Sequence, residues 1–281
     1  MSFSGTVPLS NPTTDSKKIR RNSMTTSNEL VTVSREGDLV TLTMTFAPYN
    51  LVAKPLLTAL LDAVEKAHKE GARAIILRSG LRHFSAGAEI ELFDNRGERL
   101  PEIDVCACLD ALEQVPVPII ASMHGLALGG GFELALACDI IVAADSSKAG
   151  MVEVTLGLHP LMGAIQRVAS RAGVARAKEM ALFGRRYDAA TLERWNIVNR
   201  VVPEAQLEET TRILALELAM GPTVAHGATK RLIREYTDET VVKADRAMSD
   251  AQRPIFQSND LVVGLKAFRE SGPGHAIFSG R

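Results

Sequence analysis

The segment HGLALGGGFELALACD, residues 124–139, sets three consecutive glycines ahead of one glutamate in an otherwise apolar stretch. The residues before it, VPIIASM, are typical of a buried strand, and FELALAC is typical of an apolar helix. Glycines at such a bend let the backbone approach a ligand closely. The first N–H groups of a helix have no partner inside it and lie at the positive end of its dipole. We therefore predict that a helix begins near Gly130 and that its N–H groups face an anion or a carbonyl oxygen that gains negative charge.

The glycine run does not fit other glycine-rich motifs. The dinucleotide fingerprint needs a third glycine, but Gly129 and Gly131 are followed by Leu134. A Gly-Lys-Ser/Thr phosphate loop, a Gly-x-Ser-x-Gly elbow and a His-Glu-x-x-His zinc motif are all absent from the sequence. The sequence therefore predicts neither nucleotide phosphates nor a bound metal at this bend.

A second bend of the same form lies in RAIILRSGLRHFSAGAEIELF, residues 73–93. An apolar strand pattern leads there into the small residues SAGAE and then into another apolar segment. Two such bends could each contribute one N–H group to a shared oxyanion hole. The alternative is that both are tight turns that only pack a helix on a sheet.

Two glutamates are candidates for proton transfer. Glu133 lies about one turn inside the predicted helix between Phe132 and Leu134, and apolar surroundings raise the pKa of a carboxyl group. The alternative is a surface glutamate that stabilises the helix dipole. Glu153, in KAGMVEVTLGLHP, is a second acid between two valines, and its alternative is a solvent-facing loop position.

The remaining pattern predicts an α/β chain with a helical end. ELVTVSREGDLVTLTMTF, residues 29–46, alternates like a hairpin, whose inward side chains are predicted to be Val31, Val33, Val40, Leu42 and Met44. KPLLTALLDAVEKAHKEG has helical spacing, and RAIILRSG, VPIIASMHG and IIVAAD are typical of buried strands separated by helices. After Pro222 only helical patterns remain. We predict a flexible tail over 1–28, an α/β core over 29–221 and a helical subdomain over 222–281.

Composition limits the partners. The 281 residues carry 32 basic and 33 acidic side chains, which favours neither nucleic acid nor an anionic membrane surface, and no apolar run is long enough for a membrane span. Three cysteines without metal-ligand or disulfide spacing favour a reducing compartment, so we expect a cytoplasmic protein. The basic, hydroxyl-rich tail leaves open a transit peptide and an organelle matrix.

Five segments resemble the enoyl-CoA hydratase (crotonase) superfamily in order and spacing, over about residues 30–270. They are HFSAGAEIELF, PIIASMHGLALGGGFELALACDIIVAAD, EVTLGLHPLMGAIQR, GRRYDAATLERWNIVNRVVP and GLKAFRE. The resemblance implies a crotonase-like spiral of ββα turns followed by a helical C-terminal trimerisation region. It further implies a homo-oligomer, either a trimer or a dimer of trimers, that acts on an acyl-CoA thioester. No cofactor or metal is implied, since coenzyme A enters as part of the substrate.

The same resemblance assigns site residues. The backbone N–H groups of Ala88 and Gly130 correspond to the oxyanion hole, and Glu133 and Glu153 to the two acids of the hydratases. The implied reaction is syn addition of water to a trans-2-enoyl-CoA, with Glu153 as the main proton-transfer group and Glu133 activating water. The residues expected to contact the substrate or its CoA moiety are Arg82, Ser85, Ala86, Glu89, Ile90 and Leu161.

Two departures from the family pattern keep other reactions open. Leu161 and Met162 stand where hydratases usually continue with a glycine-rich run, and Glu91 stands where lysine is frequent. Isomerisation, thioester hydrolysis and decarboxylation of an acyl-CoA are therefore alternatives. A further alternative is a non-catalytic protein that binds a partner through its basic tail. The lone histidines His124 and His159 are expected to be packed rather than catalytic.

Overall fold

The computed structural model of the protein describes residues 30–93 and 104–281, so the tail predicted over 1–28 lies outside the described residues. The strands of the described part are β1 Val31–Glu36, β2 Leu39–Met44, β3 Ala74–Ser79, β4 Ile119–Met123, β5 Leu126–Leu128, β6 Ile140–Ala144, β7 Lys148–Gly150, β8 Tyr187–Asp188 and β9 Arg200–Val202. Its helices are α1 Lys54–Lys69, α2 Val105–Gln114, α3 Gly130–Leu136, α4 Ala164–Ala172, α5 Val174–Phe183, α6 Ala189–Arg194, α7 Leu207–Met220, α8 Thr223–Asp238, α9 Val241–Gln257 and α10 Asn259–Ser271. Short 3-10 turns span Ile90–Phe93, Glu153–Leu156 and Glu204–Gln206.

Two sheets share the strands. The larger sheet has the order β1-β2-β3-β4-β6-β9, and all its pairs are parallel except the β1–β2 hairpin. The smaller sheet has the order β5-β7-β8. The chain steps from the larger sheet to the smaller one twice, from β4 to β5 and from β6 to β7. These repeated steps are the ββα turns of a spiral.

The predicted hairpin is confirmed, with one error in its inward face. Val31 pairs with Met44 and Val33 with Leu42. Val31, Leu42 and Met44 are buried, but Val33 is 53% exposed. Because β1 is the edge strand of the sheet, only its first residue is covered, and alternation alone could not show where that cover ends.

The core lies on both faces of the larger sheet, as its apolar parallel strands require. One cluster joins the sheet to the buried faces of α1, α2, α3 and α4. The second joins the opposite face to α7, where Ile76, Ile120 and Val142 meet Leu207 and Ala215. Consecutive residues of a strand therefore pack into different clusters, one on each face of the sheet. The sheet lies between two helical layers.

The helical patterns predicted beyond Pro222 are confirmed, and they form the three helices α8, α9 and α10. The helices leave many apolar side chains exposed, including Ile233, Tyr236, Phe256, Val262 and Phe268. None of the helices in the described ranges is both long and apolar enough to cross a membrane.

Candidate active site

The two predicted bends open onto one cavity of about 410 Å³. Aliphatic and aromatic side chains form most of its wall, among them Leu57, Ile90, Phe93, Leu156, Leu158 and Met162. The carboxyl groups of Glu133 and Glu153 also line it, with Glu91 and Tyr49 as further polar side chains. An apolar cavity with a few convergent polar groups is suited to bind an apolar group and act on one end of it.

The N–H group of Ala88 takes no part in the hydrogen bonds that join its loop to Val52. Ala88 forms a parallel bridge with Val52, in which the Val52 N–H donates to Gly87 O at 2.8 Å and the Glu89 N–H donates to Val52 O at 3.4 Å. In a parallel bridge the central residue directs its own N–H away from its partner. No acceptor for the Ala88 N–H occurs among the described residues. Ala88 lines the cavity, so this donor is available there.

Gly130 supplies a second free donor, because it is the first residue of α3. Gly129 precedes it with φ +48°, in the left-handed region, and the N–H groups of Phe132 and Glu133 already donate to Gly129 O. The Gly130 N–H has no acceptor within the described ranges and lines the same cavity. Two residues whose N–H groups have no acceptor in the described structure thus line one cavity, which is where an oxyanion hole would need its donors.

Gly131 brings the two bends together. A Cβ atom on Gly131 would lie 2.4 Å from Ser85 Cβ and Oγ, which is closer than any real contact. Ser85 is fully buried, and its hydroxyl donates to Asn50 O at 2.7 Å. The loop of Ala88 and the helix of Gly130 can therefore approach each other only when residue 131 has no side chain.

Gly131→Ala is expected to lower the free energy of unfolding by about 1–3 kcal/mol, the usual cost of overpacking a core. Urea denaturation at fixed protein concentration measures the change. The matched control is Gly264→Ala in α10, where the nearest atoms that a new Cβ would meet in the described structure belong to the Phe278 ring, at 3.3 Å. If both variants are as stable as the wild type, the close approach at Gly131 is wrong.

Glu133 is buried, with 1% of its surface exposed. Its Oε1 accepts hydrogen bonds from the Met162 N–H at 2.9 Å and the Ala164 N–H at 3.0 Å. Burial raises the pKa of this carboxyl group, and the two N–H bonds and the nearby Arg167 guanidinium oppose that rise. Both of these hydrogen bonds are accepted by Oε1, so Oε2 is the oxygen that can act on a molecule bound in the cavity.

Glu153 begins a 3-10 turn, and its carboxyl group lies over the glycine bend. A Cβ atom on Gly129 would be only 2.9 Å from Glu153 Oε1. Glu153 Oε2 is buried and has no hydrogen-bond partner among the described residues. Burial raises the pKa of Glu153 to about 7, and the negative charge of Glu133 contributes, while the residue's own backbone N–H and His159 act in the opposite direction. A buried carboxyl oxygen without a partner is suited to exchange a proton with a bound molecule.

The raised pKa of Glu153 predicts a pH-dependent cost in stability. The folded state holds this proton up to about pH 7, whereas the ordinary value is 4.5, so the contribution of Glu153 to stability falls as the pH rises through this window. Glu153→Gln is therefore expected to raise the urea midpoint relative to the wild type at about pH 9, and to leave it nearly unchanged at about pH 4, where the carboxyl group is mostly neutral in both states. An equal difference at both pH values would show that the effect is steric.

The comparison with known proteins identifies the family. A family model described as enoyl-CoA hydratase/isomerase matches residues 35–276. The chain belongs to this family. A probable enoyl-CoA hydratase of Mycobacterium bovis is 36% identical over 202 residues, which cover 70% of this chain and 77% of the relative. Carnitinyl-CoA dehydratase of Escherichia coli K12 is 36% identical over 205 residues, covering 70% of this chain and 78% of the relative.

Solved structures confirm the crotonase-like fold. An enoyl-CoA hydratase of Bacillus anthracis matches with a TM-score of 0.83 at 29% identity, covering 90% of this chain and 100% of that chain. An enoyl-CoA hydratase/carnithine racemase of Magnetospirillum magneticum matches with a TM-score of 0.82 at 29% identity, covering 91% of this chain and 97% of that chain. The predicted spiral of ββα turns with a helical C-terminal region is therefore the fold of this family member.

The predicted binding residues divide into two groups. Ala86, Ile90 and Leu161 line the cavity of this enoyl-CoA hydratase/isomerase family member, whereas Arg82, Ser85 and Glu89 do not. The Ser85 hydroxyl donates to Asn50 O at 2.7 Å, and a contact of Ser85 with the substrate stays a prediction. Arg82 is exposed and Glu89 is half-buried, both outside the cavity wall, and their contact with a CoA moiety stays a prediction.

The two histidines also lie outside the cavity wall. His124 Nε2 is 2.7 Å from Leu81 O, and His159 Nδ1 is 2.7 Å from Pro160 O, so each ring is held by a backbone carbonyl. His124 is half-buried and fits the expectation of a packed histidine, whereas His159 is exposed and does not. His159 still acts on the site from a distance, because it lowers the pKa of Glu153.

Sequence reasoning missed the residues that hold Glu133. The N–H groups of Met162 and Ala164 come from the segment that departs from the glycine-rich family pattern. Arg167 stands one helical turn further along, in the quoted AIQR, but nothing in the local pattern shows that its partner is Glu113 on α2. Only the packing of α2 near α4 brings these two side chains together.

Proposed function

We propose that this protein catalyses the syn addition of water to a trans-2-enoyl-CoA thioester. The observation that supports it most is that two carboxyl groups, Glu133 and Glu153, line the same cavity as the two free N–H groups. Both cited relatives have names that refer to hydration or dehydration of a CoA thioester. The mostly apolar cavity wall favours an apolar acyl chain.

The proposed chemistry begins at the thioester oxygen, which accepts hydrogen bonds from the N–H groups of Ala88 and Gly130. Glu133, as carboxylate, takes a proton from water while the water oxygen bonds to the β carbon. The electron pair of the double bond moves onto the thioester, and the enolate oxygen is stabilised by the two N–H groups, each worth roughly 3 kcal/mol. The α carbon then takes the proton of Glu153.

The protonation states of the two acids fit these roles. Burial raises the pKa of both carboxyl groups, but two backbone N–H donors and Arg167 oppose that rise at Glu133, whereas Glu153 Oε2 has no such donor in the described structure. Two nearby carboxyl groups do not ionise independently, so one proton shared by the pair is the expected state at neutral pH. After a turnover the proton taken by Glu133 must return to Glu153, through solvent or the leaving product. The scheme needs no metal or redox cofactor.

The experiment that tests this function is a panel of acyl-CoA thioesters with identification of every product. Hydration predicts loss of the enoyl thioester absorbance and a product heavier by one water, with no free CoA. A product of unchanged mass would indicate isomerisation, free CoA would indicate thioester hydrolysis, and loss of carbon dioxide would indicate decarboxylation. Any of these as the main product overturns the proposal.

We further propose that the protein assembles as a trimer or a dimer of trimers in the cytoplasm. The exposed apolar side chains of α8, α9 and α10 support a contact between copies, because so many apolar side chains on neighbouring helices are unusual on a monomer. Coenzyme A would enter only as part of the substrate.

A further inference from the structure

One peptide group lies between a cation and a catalytic carboxyl group. Arg167 Nη1 donates to Gly163 O at 3.3 Å, and the N–H of the same peptide, on Ala164, donates to Glu133 Oε1 at 3.0 Å. Arg167 Nη1 also lies 3.5 Å from Met162 O. The guanidinium therefore binds the carbonyl oxygens of the 162–164 segment. The N–H groups of the same segment bind Glu133.

Glu113 fixes the guanidinium in this position. Arg167 Nε and Nη2 donate to Glu113 Oε1 and Oε2, each at 2.7 Å, which is a bidentate ion pair between α4 and α2. Both side chains are mostly covered, with 20% and 32% of their surface exposed. A forked pair of this kind fixes the orientation of the guanidinium as well as its charge.

The effect of this arrangement on Glu133 follows from charge. A cation at the carbonyl oxygen of a peptide group polarises that group. The hydrogen bond that the N–H of the same peptide group donates becomes stronger. The charged groups that act on Glu133 are Arg167 from α4 and, with opposite sign, Glu153 from its 3-10 turn. Arg167 therefore offsets the repulsion that the second carboxyl group imposes on the first.

We propose that Arg167, oriented by Glu113, is a positioning residue that keeps Glu133 in its carboxylate form and in place for activating water. It is not a catalytic residue, because it lies outside the cavity wall. The inference rests on the proposed function for the role of Glu133, but its physical content, the charge state of Glu133, can be measured without turnover.

The test compares Arg167→Gln and Arg167→Lys with a control on the same helix. In Arg167→Gln we expect kcat for hydration to fall on the order of 10- to 100-fold with KM nearly unchanged, and the acid limb of the pH profile to move to higher pH. Arg167→Lys keeps the charge and loses the fork, so it should restore the position of the acid limb and part of kcat. The ¹³C-carboxyl signal of Glu133, assigned with Glu133→Gln, should titrate at higher pH in Arg167→Gln.

The control is Arg171→Lys with Arg171→Gln. Arg171 lies one turn further along α4 and donates to Leu136 O, Cys138 O and Ile197 O, so its loss weakens packing without touching the 162–164 segment. We expect these variants to be less stable but to keep the wild-type titration of Glu133. If Arg167→Gln leaves both the Glu133 signal and the acid limb unchanged, or if the Arg171 variants shift them equally, the proposal is wrong. A wild type without hydratase activity would defeat the proposed function, and the Glu133 signal would still decide this inference.

Discussion

Glu153→Gln is expected to lower kcat for hydration by roughly 10²- to 10⁴-fold, the usual contribution of a positioned general acid. Gln matches Glu in shape, and no hydrogen bond to Glu153 Oε2 within the described structure is lost by the change. The proton that the α carbon receives is lost, while the apolar wall and the two N–H groups that bind the thioester are kept. KM should therefore stay close to the wild-type value, as steady-state kinetics with an enoyl-CoA will show.

The pH profile of the wild type provides the second part of this prediction. Because Glu153 acts in its protonated form, with a pKa of about 7, hydration should slow as the pH rises through that value, and Glu153→Gln should lose this alkaline limb. The control is Glu65→Gln on the exposed face of α1, where Lys69 is the one ion-pair partner of the glutamate among the described residues. A Glu153→Gln enzyme with wild-type kcat, or a fall no larger than that of the control, contradicts the role of Glu153.

Glu133→Gln is expected to lower kcat by a similar roughly 10²- to 10⁴-fold, for a different reason. The amide oxygen of Gln can still accept the N–H bonds of Met162 and Ala164, so the fold of that segment is preserved. The base that takes the proton of water is lost. This variant should therefore lack the acid limb of the pH profile and keep the alkaline one.

The two variants together separate the roles of the acids. If Glu133→Gln removes the alkaline limb and Glu153→Gln the acid limb, the two roles are exchanged. If Glu133→Gln mainly raises KM or lowers the urea midpoint while kcat is retained, Glu133 only anchors the 162–164 segment. Circular dichroism and denaturation of both variants provide the check on folding.

The features that the sequence predicted correctly are those that depend on the local pattern of residues. Alternation located the β1–β2 hairpin, helical spacing located α1, and the glycine run placed the start of α3 at Gly130. Each of these depends on residues near one another in the chain, where spacing and backbone preferences act directly.

The features that it missed depend on contacts between distant segments. The smaller sheet is built from strands of three, three and two residues, too short to show alternation. Val33 is exposed because its strand is an edge, and the position of a strand in its sheet depends on distant segments. The Arg167–Glu113 pair joins residues 54 positions apart, so only the folded chain shows it.

The proposed reaction is tested most directly by turnover of a trans-2-enoyl-CoA in D₂O, with the position and face of the incorporated deuterium determined by NMR. Syn hydration by Glu153 and Glu133 predicts one deuterium on the α carbon, on the same face as the new hydroxyl group of the β carbon, with the thioester intact. Deuterium on the γ carbon, deuterium on the opposite face, or release of free CoA would contradict the mechanism.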